Sequence, residues 1–514
     1  MAETNEEISP LADLETHLRE LLPAKLYASA WIDPSGRNLT KVFNHLRTLQ
    51  RILHNYLPRQ ILESLPKPGE TRYQWEEGTL MFTDLAGFTP LLEANATLGQ
   101  EGAKSLWELL NNYFREMIQI ISKGGGNLLE FTGDAILAQF PADQSQSDTS
   151  RAVRVGLRMQ RAMEKFSEIK ILDSEFSLGM RVGLHVGRFL AADIGTPLRM
   201  EHVLLGSSVK QSKHAESAGK VGSVCLTKQT RERVKDEFRF EDLDEEFSLV
   251  VDDLTDEQLG DYDIVPSRHR MASMVLFDMS VDGLVTAISD AVDKVEPLAS
   301  FIPGPILNLL VENAASRRLP PDFPAATIMF INLLGLPSLE EANPEEEAEI
   351  ISRFSQVISL INAEIEARGG VLKKVTYHLA GPDVMIAFGV PNSHTNDSIR
   401  ASHAALAILK VVKSLPPIVI GDEKRKLSCH IGLTRGRVFA AEIGETQGRR
   451  EFNMLGDRVN TAARLMNKAE SHQILISQDV FEDLEGIFET TTLESIDLKG
   501  KAKPFKIYEL GKFR

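Results

Sequence analysis

The chain is written twice. Leu80-Met81-Phe82-Thr83-Asp84-Leu85-Ala86-Gly87-Phe88 is echoed by Ile328-Met329-Phe330-Ile331-Asn332-Leu333-Leu334-Gly335-Leu336, at an offset of 248 residues. Glu130-Phe131-Thr132 returns as Lys374-Val375-Thr376 at an offset of 244, and Leu205-Gly206-Ser207-Ser208-Val209 as Leu455-Gly456-Asp457-Arg458-Val459 at 250. The lead-ins match too: Tyr56-Leu57-Pro58 ahead of Ile61-Leu62, and Phe301-Ile302-Pro303 ahead of Ile306-Leu307. A period this long exceeds any solenoid unit several-fold, so the repeat is a duplicated domain. Whatever one copy folds into, the chain must contain it twice.

Each copy carries the same local pattern. An apolar run (Thr79 to Phe82; Thr327 to Ile331) reads as a buried strand. A helical stripe follows, with Leu106, Leu109, Leu110, Tyr113, Phe114, Met117 and Ile121 in one copy. Ile350, Phe354, Val357, Ile358, Ile361 and Ile365 form its counterpart. Both stripes stop at glycines, Gly124-Gly125-Gly126 and Gly369-Gly370, as helix C-termini commonly do. Leu128 to Thr132, Gly133-Asp134 and Ala135 to Phe140 then read as a hairpin. Strand, helices, hairpin, helix, strand is the order of an α+β sheet with helices on one face. The Leu46–Leu62 stripe (Leu46, Leu49, Ile52, Leu53, Tyr56, Leu57) reads as a packing helix. The expected domains are a helical lead-in (1–74), a first module (75–235), a linker with a helix or two (236–320) and a second module (321–514).

Charge and composition exclude several classes. With 57 Lys+Arg against 73 Asp+Glu the chain is acidic, at −16, and lacks the basic stripe of a nucleic-acid binder. The longest charge-free stretch, Phe323 to Leu339, is 17 residues and contains two prolines, too short and interrupted to span a membrane. The acidic start Met1-Ala2-Glu3-Thr4-Asn5-Glu6-Glu7 has no apolar core of a secretory signal. Two cysteines, Cys225 and Cys429, fit a reducing compartment, so the expected location is the cytoplasm. No His-Glu-x-x-His and no Gly-x-x-x-x-Gly-Lys-Ser/Thr loop occurs, which argues against zinc and a P-loop nucleotidase.

Candidate chemistry begins at Asp84, which ends an apolar strand before Gly87-Phe88-Thr89 at a helix start. Free N–H groups at such a point can cradle a phosphate. Asp134 lies in the hairpin turn fifty residues later. Two carboxylates at strand ends of one sheet suit hard divalent cations bound with substrate phosphates, although Asp and Gly are also ordinary turn residues.

Phe82-Thr83-Asp84-Leu85-Ala86-Gly87-Phe88-Thr89 with Phe131-Thr132-Gly133-Asp134 resembles the metal half of class III nucleotidyl cyclases. Arg437-Val438-Phe439-Ala440-Ala441-Glu442-Ile443-Gly444, then Leu455-Gly456-Asp457-Arg458-Val459-Asn460-Thr461-Ala462-Ala463-Arg464-Leu465, resembles the other half. The tandem arrangement is most similar to the catalytic half of soluble adenylyl cyclases. The resemblance implies two ferredoxin-like modules packed head to tail as an intramolecular pseudo-heterodimer, in one monomeric chain. It implies an adenylate cyclase that makes cyclic AMP and pyrophosphate from ATP, the alternatives being a guanylate cyclase or an inactive nucleotide-binding regulator. Asp84 and Asp134 would hold two Mg²⁺ or Mn²⁺ ions. Asn460 would orient the ribose and Arg464 would stabilise charge on the α-phosphoryl group. Lys374 and Asn453 would read the adenine, and Lys499 and Arg199 would bind phosphates.

By the same resemblance, the second copy has Asn332 and His378 where the aspartates should be. The first copy has Glu130, Val203, Lys210 and His214 in place of Lys374, Asn453, Asn460 and Arg464. The losses are complementary, so one composite site is complete and the other degenerate, open to a small-molecule regulator. In soluble adenylyl cyclases that second site takes bicarbonate through a lysine and an arginine. Glu130 and Lys213 are the expected occupants here, and a carboxylate there repels an anion.

Overall fold

The computed structural model describes residues 9–145, 147–260, 262, 264, 274–276, 278–377, 380–445, 448–493, 495 and 504–514. Two sheets of the same order carry the duplication. In the first the order runs Asn127–Thr132, Ala135–Pro141, Arg72–Ala86, Gly179–Thr196, Val224–Thr227, Phe247–Val250, Phe240–Asp242. In the second it runs Val371–Thr376, Asp383–Phe388, Ala325–Leu334, Ser428–Arg437, Ile474–Ser477, Ile507–Phe513, Phe488–Thr492. In each, the fourth and fifth strands are parallel and the other neighbours antiparallel. The seven strands in these orders correspond one to one. In the first sheet Arg199–Leu205 pairs as an eighth strand with Gly179–Thr196, whereas in the second module Phe439–Gly444 and Arg450–Leu455 stand apart as a two-stranded sheet.

The stripes read from sequence form the helices Gly99–Lys123 and Pro344–Glu366. Leu106, Leu110, Tyr113, Phe114 and Met117 are completely buried, and each such side chain contributes about 1.5–3 kcal/mol, far more than helix propensity. Residues of the lead strand alternate. Met81 packs under the long helices, whereas Leu80 and Phe82 face a second, smaller core with Val209 of the helix Ser207–Ala218. Helices therefore lie on both faces rather than one. The third is short and polar on its outer side, so its stripe does not stand out in the sequence. The first sheet also runs past residue 235, because the acidic stretch after it contains two short strands, Phe240–Asp242 at the edge and Phe247–Val250 beside it.

The lead-in and the linker are one body. Helices Gly36–Tyr56 and Val281–Ala299 pack against each other, and each leads through its echoed segment into a short helix, Arg59–Glu63 or Gly304–Glu312. The repeat thus includes the helix before each module. Head-to-tail pairing of the modules is equally symmetric. Gly444 N–H donates to Asn111 Oδ1 (3.0 Å) on the long helix of the first module, and Gly195 N–H donates to Ser355 Oγ (3.1 Å) on that of the second.

Candidate active site between the modules

The cleft faces of the two sheets enclose a cavity of about 520 Å³. From the first module Asp84, Gly87, Phe88, Thr89 and Asp134 line it, and from the second Lys374, Asn453, Asn460 and Arg464. Nine of the eleven residues expected from sequence are thus brought together. Lys499 and His378 lie outside the described residues.

Local geometry explains each placement. Asp84 shares the cleft face with Phe82, two residues away on one strand. Gly87 takes φ +85° to turn that strand into the helix Phe88–Ala96, and a Cβ there would sit 2.4 Å from the Ser177 carbonyl oxygen. The first N–H groups of that helix open onto the cavity beside the aspartates. Asp134 occupies a two-residue turn between Thr132 and Ala135. Asn460 and Arg464 stand four residues apart on the helix Asp457–Lys468, one above the other. Arg464 has no ion-pair partner among the described residues. Lys374 follows a β-bulge that skips Lys373, and Glu130 follows the matching bulge in the first module. A bulge re-aims the side chains beside it. Here it directs Lys373 and Lys374 into the module interface.

The electrostatics fit divalent cations. Burial pushes the Asp134 carboxyl up to about 7, and the nearby Asp84 charge pushes the same way. Two crowded carboxylates in a buried cleft are a donor set for hard cations. Two positive side chains not assigned to this cleft from sequence stand beside them. Arg181 donates to Asp84 Oδ2 (2.5 Å) and pairs with Glu216 (2.9 Å). Lys213 pairs with Glu216 and sits 4.7 Å over the Phe82 ring. The duplication held a signal for Arg181: it lies directly across the sheet from Asp84, and the same cross-strand pair in the second copy is Asn332 and His430. Charge is lost from both members together.

In the second module Asn332 is closed into a structural network. It donates to Asp383 Oδ1 (2.7 Å) and the Gly381 carbonyl (3.1 Å), and its Oδ1 meets His430 Nε2 at 3.0 Å. Where two residues separate the paired strands around Asp134, six lie between Thr376 and Asp383 in the sequence of the second module. Asp383 and Thr376 reach the large cavity from this side, and neither was singled out from sequence.

Two expectations are corrected. Lys213 lines the large cavity rather than the second cleft, because its helix packs on the first module's own sheet. Arg199 does not line the large cavity. It faces a separate cleft of about 90 Å³ together with Glu130, Glu201, Lys373, Arg449 and Glu451. The antiparallel strand Arg199–Leu205 pairs back along Gly179–Thr196 and carries Arg199 away from the aspartates. Arg199 is ion-paired to Glu201 and donates to the Phe301 carbonyl (2.9 Å). Lys373 is paired with Glu451. Burial works to raise the Glu451 carboxyl, but Lys373, Lys374 and Arg449 outweigh it and hold it down at about 2. Lys374 also borders this cleft, and the two echoed lead-ins meet across it through Tyr56, Pro58, Phe301 and Pro303.

The family model described as "Adenylate and Guanylate cyclase catalytic domain" matches residues 71–250 and again 320–511. Adenylate cyclase type 10 of Rattus norvegicus is 22% identical over 419 residues, covering 80% of this chain and 25% of the relative. The Homo sapiens protein of the same name is 21% identical with the same coverage, so the chain spans about a quarter of the length of these curated relatives. A class III adenylyl cyclase-like ATP-binding protein from Pseudomonas aeruginosa shares the fold across both modules. It has a TM-score of 0.54 and 15% identity, covering 86% of this chain and 93% of that one. No helix among the described residues is long and apolar enough to cross a membrane.

Proposed function

Since the chain belongs to the adenylate and guanylate cyclase catalytic-domain family, we propose that its one complete site converts ATP to 3′,5′-cyclic AMP and pyrophosphate. The observation that carries this reading is the single cavity into which Asp84 and Asp134 of one module and Lys374, Asn460 and Arg464 of the other all project. Asp84 and Asp134 would hold two divalent cations, Mg²⁺ or Mn²⁺. Such ions, when bound, favour the ribose 3′-alkoxide and neutralise phosphate charge. The chain's own groups do the rest. Asn460 orients the ribose so that the 3′-oxygen lies in line with the α-phosphorus, a positioning role. That oxygen attacks, its proton leaves, and pyrophosphate departs with the broken α–β bond. Arg464 presents a planar fork of donors to the oxygens on which charge grows. The N–H groups of Phe88 and Thr89 at the helix start, with Lys213 on the cavity wall, would meet the phosphate tail. The deciding assay is purified protein with Mn²⁺ and either ATP or GTP. Cyclic AMP formation from ATP supports the reading, preferential formation of cyclic GMP from GTP favours a guanylate cyclase, and nucleotide binding without turnover favours an inactive regulator.

Base choice follows from Lys374. Its ammonium suits adenine N1, an acceptor, and opposes guanine N1, a donor. ATP is expected to exceed GTP in kcat/KM by about tenfold or more, about 1.4 kcal/mol. Comparable values for the two nucleotides would remove Lys374 as the base reader.

Bicarbonate is expected to stimulate weakly or not at all. The small cleft is walled by the chain's own lead-ins, and Arg199 and Lys373 are already paired with carboxylates. An entering anion would have to displace those partners and face Glu130. Activity at fixed pH is compared with chloride exchanged for bicarbonate. Several-fold stimulation that disappears in Arg199→Ala would overturn the expectation.

A further inference from the structure

Asn453 is 3% exposed, and both ends of its amide are engaged. Its Nδ2 donates across the module interface to the Gly133 carbonyl (3.1 Å), and its Oδ1 accepts from Met454 N–H (3.0 Å). The orientation is fixed by its partners, since a flipped amide would set NH₂ against an N–H and oxygen against a carbonyl. The Gly133 oxygen belongs to the same peptide plane as Asp134 N–H. Holding that oxygen therefore holds the plane from which the Asp134 side chain departs. Two neighbours reinforce the grip. Leu455, on the same strand face as Asn453, lies 3.5 Å from where a Cβ on Gly133 would sit, and Gly133 itself has φ +64°. Lys374 donates to the Phe131 carbonyl two residues earlier in the hairpin.

We propose that Asn453 is a positioning residue, a strut from the second module that orients the Asp134 turn of the first, rather than a reader of the purine's amino group. The proposal rests on the cyclase reading of the site and deepens it. A two-residue turn with a glycine at positive φ has little rigidity of its own, and the peptide it presents can rotate. Buried donors supplied by the other module remove that freedom. They also make cation binding depend on the docking of the modules: a metal aspartate in one is aimed by an amide in the other. On the neighbouring strand Thr376 also faces the cavity and brings a hydroxyl that can accept from an amino group.

The test uses the full chain, with thermal unfolding to verify the fold. Asn453→Ala removes the strut, and Asn453→Ser, which keeps a shorter hydroxyl donor, serves as the milder variant. Mn²⁺ binding is measured by electron paramagnetic resonance in the presence of 3′-deoxy-ATP, which cannot cyclise, so this readout needs no turnover. Turnover is measured with ATP and with purine riboside triphosphate, which lacks the 6-amino group. In Asn453→Ala the Mn²⁺ affinity is expected to fall about fivefold or more and kcat about 10- to 100-fold, with KM for ATP within about threefold, because misplacing a group by about 1 Å acts mainly on the reacting geometry. Asn453→Ser is expected to fall between wild type and Asn453→Ala. The preference for ATP over the 6-deamino analogue is expected to stay at its wild-type value. Unchanged Mn²⁺ affinity together with collapse of that preference, in either variant, would overturn the proposal. A wild-type chain that binds Mn²⁺ with the nucleotide yet forms no cyclic product would count against the cyclase reading alone, and the strut would still be judged by the shift in Mn²⁺ affinity.

Discussion

Asp84→Asn and Asp134→Asn are each expected to lower kcat by about 1000-fold or more while leaving the thermal unfolding transition in place, because an amide cannot supply the charge that a divalent cation needs. The side chains are nearly isosteric, so packing is kept. Neither change should harm the fold. Burial and the neighbouring Asp84 charge push the Asp134 carboxyl up to about 7, so ionised Asp134 costs the fold stability rather than contributing it. Asp84→Asn also removes the ionic part of the contact with Arg181, but the amide oxygen can still accept and Arg181 retains Glu216 as a partner. Near wild-type turnover with Mg²⁺ in either variant would show that the aspartates do not hold the ions.

Arg464→Ala is expected to reduce kcat about 100- to 1000-fold, the size found when one preorganised donor to a developing oxyanion is removed, about 2.7–4 kcal/mol. KM for ATP should change far less, since the interaction strengthens only as charge moves onto the α-phosphoryl oxygens. Arg464→Lys should recover little, because a point charge cannot reproduce the planar fork. Arg464 has no ion-pair partner among the described residues and is only half-buried, so the variant is expected to unfold close to the wild-type temperature. A rise in KM with kcat unchanged would reassign it to ground-state binding.

What the sequence determined is what the duplication and local periodicity encode. Comparing the copies was enough to find the strand–helix–hairpin order, whereas the residues expected in the cleft came from the resemblance to class III cyclases. Asp84, Asp134, Asn460 and Arg464 each sit in a motif whose backbone geometry is local: a strand end, a two-residue turn, one helical face. Even Arg181 was legible in principle, since its counterpart changes to His430 where Asp84 becomes Asn332. The tertiary structure decided everything that depends on where a chain segment turns back. Arg199 and Lys213 exchanged clefts because strand pairing and helix packing, rather than spacing along the chain, set which face they reach. The lead-in and linker form one helical body because apolar stripes more than 200 residues apart in sequence pack against each other. Asn453 is the clearest case. Its place in the motif suggests a contact with the base, yet its amide is held by a backbone carbonyl 320 residues away. Hydrogen bonds to main-chain groups carry no side-chain signature, so no pattern of residues could have announced that one.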